Sequence, residues 1–117
     1  MASKKRTKNE FEGKWHITEM ETWDEDYFNM EVQAFIGIDS KNMGHFQFGL
    51  VSGEIDGEII EGEEGVRRFE FTWDGIDEMD PVNGSGWMEL VEPDKIEGKI
   101  KIHQGDSSTF AAERAQK

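Results

Sequence analysis

Apolar and polar residues alternate along most of this chain, and clusters of Gly, Asn, Asp and Ser cut the alternation at short intervals. The stretch "KIEGKIKIHQ" (95–104) is the clearest case. Ile96, Gly98, Ile100 and Ile102 fall on one face, and Lys95, Glu97, Lys99, Lys101 and His103 on the other. A period of two with a charged outer face predicts a half-buried antiparallel strand. Seven further stretches read the same way, at 13–20, 30–39, 43–51, 54–61, 65–73, 84–91 and 107–114. Their predicted inner faces include Trp15, Ile17 and Glu19; Met30, Val32, Ala34, Ile36 and Ile38; Phe46, Phe48 and Leu50; Ile55, Gly57 and Ile59; Arg67, Phe69, Phe71 and Trp73; and Phe110 with Ala112. The stretch 84–91 has two readings, with either Met88 and Leu90 inside, or Trp87, Glu89 and Val91. No helical pattern of useful length appears.

Most connections carry the chemistry of hairpins: "DSKN" (39–42), "EGEEG" (61–65), "EPDK" (92–95) and "QGD" (104–106). The join at Ser52-Gly53 is weaker, and 44–61 also reads as one long bent strand. Parity favours eight strands, because in an up-and-down order the first and eighth then run antiparallel and close a barrel. The predicted fold is a single all-β domain, an antiparallel up-and-down barrel of about eight strands. Two connections are long, "ETWDEDYFN" (21–29) and "DGIDEMDPVN" (74–83). Both follow odd-numbered strands, so both are expected at the same barrel end, where loops on a rigid scaffold carry sites.

Charge changes the picture of partners. The formal net charge is −13 over 117 residues. The first nine residues hold Lys4, Lys5, Arg6 and Lys8 and no acid, whereas 10–117 carry 9 basic against 26 acidic residues, a net of −17. Such a body repels phosphate backbones and anionic membrane surfaces, so no nucleic acid and no membrane partner is expected. Residues 1–10 are expected to be a disordered basic leader, with the single barrel domain at 11–117. The leader has no apolar run behind it and does not read as a secretory signal. No stretch approaches a bilayer span. With no cysteine there is no disulfide or thiol chemistry, and a cytoplasmic protein is the expectation.

Candidate chemistry is sparse. Asp74, Asp77, Glu78 and Asp80 crowd seven positions, but they lack the ligand spacing of a calcium-binding loop, and Pro81 with "NGSG" favours a turn. "GDSS" (105–108) resembles an esterase nucleophile motif, but it lies near the end of an all-β chain, where Gly105-Asp106 reads as a turn. His16, His45 and His103 alternate away from their apolar neighbours and should point outward. No metal site, catalytic residue or cofactor is therefore assigned. Glu19, Arg67 and Glu89 fall on predicted inner faces. They are either strand-end residues that reach water or polar anchors within an apolar pocket.

"GKW" (13–15), opening the first strand of a β-meander of this size, resembles the G-x-W signature of the calycin barrels (lipocalins, fatty-acid-binding proteins, avidins). That resemblance implies a calycin-like barrel in which a basic residue of the last strand packs across the Trp, and Arg114 stands where such a residue would lie. A wider pattern resembles a family of small uncharacterised bacterial acidic β-barrel proteins. It comprises Met20–Asp24, Gly44–Phe48, Glu70–Pro81, Gly84–Trp87 and His103–Phe110, and it supports the domain boundaries without implying an activity.

Three functions fit these features. The first is a small-molecule binding barrel with a mouth of Trp23, Tyr27, Phe28, Trp73 and Trp87, and polar contacts from Asp77, Glu78, Asp80 and Glu89. The second is a protein-interaction module, or a homodimer, using the same rim. The third is an enzyme with paired carboxylates, and an enzyme is the less favoured class. An internal cavity of several hundred cubic ångströms would favour the first; a filled barrel with an exposed aromatic patch would favour the second.

Overall fold

The computed structural model describes residues 9–115. Eight antiparallel strands form one closed sheet in sequence order: β1 (Gly13–Met20), β2 (Phe35–Ile38), β3 (Met43–Phe48), β4 (Val51–Glu61), β5 (Arg67–Asp77), β6 (Asp80–Glu92), β7 (Lys95–Ile102) and β8 (Ser107–Arg114). The seam pairs β1 with β8 antiparallel, Trp15 opposite Arg114 and Ile17 opposite Ala112, as the even strand number requires. One four-residue helix, α1 (Glu25–Phe28), lies between β1 and β2.

The interior is filled by its own side chains. Trp15, Ile36, Phe46, Phe48, Ile55, Phe69, Met88 and Ile96 are at most 1% exposed. Rings and glycines alternate across neighbouring strands: inward Phe71 lies between Gly57 on β4 and Gly86 on β6. A methyl group at Gly57 would come within 2.4 Å of the Phe69 ring, and one at Gly86 within 2.5 Å of the Phe71 ring. Small residues opposite large ones let rings cross a narrow barrel without leaving a void.

Both ends are closed. At the end holding the turns after β2, β4 and β6, the segment before β1 lays Phe11, fully buried, against Phe69 at 5.6 Å between ring centroids. The Trp15 indole N–H donates to the Phe11 carbonyl at 2.9 Å. The Arg114 guanidinium covers Trp15 at 4.1 Å and donates to the carbonyls of Glu12 (2.9 Å), Glu10 (3.1 Å) and Pro93 (3.2 Å). The arrangement that the G-x-W resemblance implies for Arg114 is thus formed.

At the opposite end, residues 21–34 fold over the opening. Asp24 caps α1 by accepting from the Tyr27 N–H at 3.1 Å, and Phe28, 2% exposed, drops into the core. Tyr27 covers Gly49, whose φ of +58° suits glycine and whose missing side chain leaves room for the phenol ring.

Several expectations change. The stretch 74–83 is not a long loop: β5 and β6 run on through it to a two-residue turn at Glu78-Met79, with Asp77 opposite Asp80. Cross-strand pairing satisfies this polar backbone despite its loop-like composition. The second strand begins at Phe35 rather than Met30, and Met30 and Val32 are exposed. The chain from 44 to 61 is broken at Gly49-Leu50 into β3 and β4. Glu19 is exposed, because an irregularity between Ile17 and Glu19 shifts the phase of β1 and turns Met20 inward. Arg67 keeps the inward phase but sits at the first position of β5, where it meets Glu10 at 3.3 Å.

Candidate functional site

The long connection after β1 and the turn after β5 do meet at one barrel end. The Leu50 N–H donates to the Tyr27 hydroxyl at 3.2 Å, and the Leu50 carbonyl accepts from the Glu78 N–H at 3.1 Å. Their aromatic residues do not line an open mouth. Trp23 packs on Phe48 at 4.9 Å and lies 6.2 Å from Tyr27, while Phe28 is core. Trp73 lies inside the barrel, 3% exposed, and its indole N–H donates to the Lys101 carbonyl at 3.2 Å. Trp23 and Trp73 are not neighbours; Phe48 and Phe46 stand between them, with centroid steps of 4.9, 5.8 and 5.0 Å. Of the polar rim residues, Asp77 is half-buried, Asp80 is exposed at the base of the hairpin, and Glu78 forms its turn. Met79 beside it is 89% exposed. Asp74 lies apart from all three on the outer face, opposite Glu54. Among the described residues no three His, Asp or Glu side chains converge to hold a metal ion.

Trp87 and Glu89 occupy a different place, because β6 takes the phase with Met88 inside. Both residues stand on the outer face of the sheet. Glu89 forms an ion pair with Arg68 at 2.8 Å, and the Arg68 guanidinium lies 4.1 Å from the Trp87 ring centroid. All three side chains are half-buried. A carboxylate therefore holds a guanidinium against an indole, which restricts both long side chains on the surface.

Two open grooves border Trp87. One, of about 590 Å³, has Asp56, Glu58 and Glu70 on the β4–β5 side, Lys99 and Lys101 on the β7 side, and the small side chains of Thr72 and Ser85 between them. The other, of about 500 Å³, is bordered by Glu19, Glu21, Glu97 and Thr109. The register explains the first groove. Glu58, Glu70, Trp87 and Lys99 face one another in turn across β4, β5, β6 and β7, and Asp56, Thr72, Ser85 and Lys101 form the next row. Glu58 stands directly opposite Glu70, and Glu54 opposite Asp74. Like charges in directly opposed positions destabilise a sheet. Among the described residues the ion pairs are Arg67–Glu10, Arg68–Glu89 and Arg114–Asp94, so neither carboxylate pair is neutralised.

The chain alone singled out Trp87 and Glu89, but for the barrel mouth rather than the outer face, and left Arg68, Glu58, Glu70, Lys99 and Lys101 unassigned. The alternative phase of β6, with Met88 and Leu90 inside, carried the signal for an outward Trp87. The groove itself depends on the β4–β5, β5–β6 and β6–β7 registers, which no local pattern contains. Comparison of the chain with protein-family models, with curated proteins and with solved structures gives no significant match.

Proposed function

We propose that this protein is a binding module for another macromolecule, contacted by the outer face of β4–β7 with Trp87 at its centre. The observation that carries this reading is Trp87, held by Arg68 and Glu89 and bordering two open grooves, on a barrel whose interior is already packed. Trp and Arg dominate binding hot spots because they offer large contact area with a polar handle, and side chains held in place before binding lose less entropy on contact. The grooves are shallow and solvent-open, which suits a surface laid across them better than an enclosed small molecule. A small-molecule site inside the barrel is the less favoured reading, since such a ligand would have to displace Phe46, Phe71 or Trp73 from the core. A distant relationship to the calycin barrels, supported by the Trp15–Arg114 packing, is compatible with this use of the outer surface.

The test is selection of binders from a random displayed peptide library against the immobilised protein, followed by a screen of those binders against Trp87→Ala and Val66→Ala. Binders that lose at least tenfold in affinity on Trp87→Ala, and keep it on Val66→Ala, support the reading. Binders that ignore Trp87 and respond to Tyr27→Ala or Met79→Ala would move the site back to the barrel end.

A further inference from the structure

Resting on the reading of the Trp87 face as a docking surface, we infer the chemistry of its occupant: an extended segment of another protein that places an Arg or Lys between Glu58 and Glu70 and a carboxylate three or four residues away toward Lys99 and Lys101. Charge complementarity argues for the first half. Glu58 and Glu70 face each other across β4 and β5, and no cation of the described residues is within ion-pair distance of either. A partner's cation would relieve a repulsion that the isolated barrel carries, and its hydrocarbon stem would lie toward the indole of Trp87 in the same row. Arg68 already shows that this ring accepts a guanidinium.

The second half follows from strand spacing. The midpoint of the Glu58–Glu70 pair and the β7 lysines are two and a half strand intervals apart, about 12 Å. An extended chain covers that span in three to four residues at about 3.3–3.6 Å each. Thr72 and Ser85 lie between the two charged walls and leave room for the segment's backbone. A second copy of this chain fits poorly, because residues 10–117 carry 9 basic against 26 acidic side chains and two such surfaces repel.

The probe is a blocked octapeptide on a Ser/Thr background with Arg at its second position and Glu at its fifth or sixth. It is titrated into the full ¹⁵N-labelled chain while the Trp indole resonances are followed. The Trp87 indole signal should move saturably and that of Trp15, which is bonded to Phe11, should not. Glu58→Gln with Glu70→Gln should weaken binding at least tenfold without lowering Tm, a result that separates loss of contact from loss of fold. Equal binding of a peptide with Gln at both charged positions, or tighter binding of an all-Glu peptide, would overturn the inference and leave the Trp87 surface standing. No movement of the Trp87 signal with any peptide would overturn both. Dimerisation in sedimentation that Trp87→Ala abolishes would assign the groove to a second copy. Tenfold tighter binding after deletion of residues 1–8 would assign it to the chain's own basic leader.

Discussion

Arg114 binds together the segment before β1, the β6–β7 turn and the last strand, so its replacement is a direct test of what closes that end of the barrel. Arg114→Met keeps much of the stem and removes the guanidinium. The loss has three parts. Two charge-assisted hydrogen bonds, to the half-buried Glu12 and Glu10 carbonyls at 2.9 and 3.1 Å, disappear, and the exposed bond to the Pro93 carbonyl at 3.2 Å is replaced by water at little cost. Partial rehydration of those carbonyls leaves about 1 kcal/mol for each, below the full range for bonds to charged groups. The cation–π contact with the fully buried Trp15 ring adds about 1 kcal/mol. The ion pair to Asp94, whose side chain is 74% exposed, adds at most about 0.5 kcal/mol. The sum is about 3 kcal/mol, or about 10–15 °C in Tm for a domain of this length. Thermal and urea unfolding followed by circular dichroism measures it, with Asp94→Ala as a control expected to cost less than about 0.5 kcal/mol. Arg114→Lys should recover only part of the loss, because an ammonium cannot both cover the indole and fork to several carbonyls. A change of less than about 0.5 kcal/mol for Arg114→Met, the range of ordinary surface substitutions, would refute the reasoning.

The remaining predictions are independent of that end. Ile100→Asp, which puts a charge at a position 2% exposed, should unfold or severely destabilise the domain, while Lys99→Asp on the opposite face should cost far less; equal losses in urea unfolding would disprove the strand phase. Gly49→Ala combines a left-handed φ with a methyl group 2.2 Å from the Tyr27 ring, so it should cost at least about 2 kcal/mol and expose Trp23 to acrylamide quenching; unchanged stability and quenching would mean that residues 21–34 do not hold down that end. Fatty acids and apolar dyes at saturating concentration should shift Tm by less than about 1 °C, because the interior is already occupied; stabilisation of about 2.7 kcal/mol, expected from a ligand at a hundred times its Kd, would show that the core opens to admit one.

Much of the fold was legible along the chain because its determinants are local. Strict alternation at Ile96, Ile100 and Ile102 sets the face of β7, turn residues at 92–95 and 104–106 set its two hairpins, and those at 39–42 set the hairpin of β2 and β3. The even strand count then closes the barrel through β1 and β8. The convergence of residues 21–29 and 78–79 at one end was legible for the same reason, since up-and-down order alone decides which connections share an end.

What local pattern did not contain was decided by partners distant in sequence. The stretch 74–83 has the composition of a loop, yet pairing of each half with the other continues β5 and β6 through it. Trp87 and Met88 are both large and apolar, and alternation allows either one inside. Met88 faces Phe69 within the core, whereas Trp87 outside finds Arg68 and Glu89. Trp23, Tyr27 and Phe28 looked like a rim because aromatic residues beside carboxylates suit an open mouth; in the folded chain that same apolar surface seals the barrel. The candidate site exists only in three dimensions. Glu58, Glu70, Trp87 and Lys99 come from four strands, and they meet because backbone hydrogen bonding holds three registers at once.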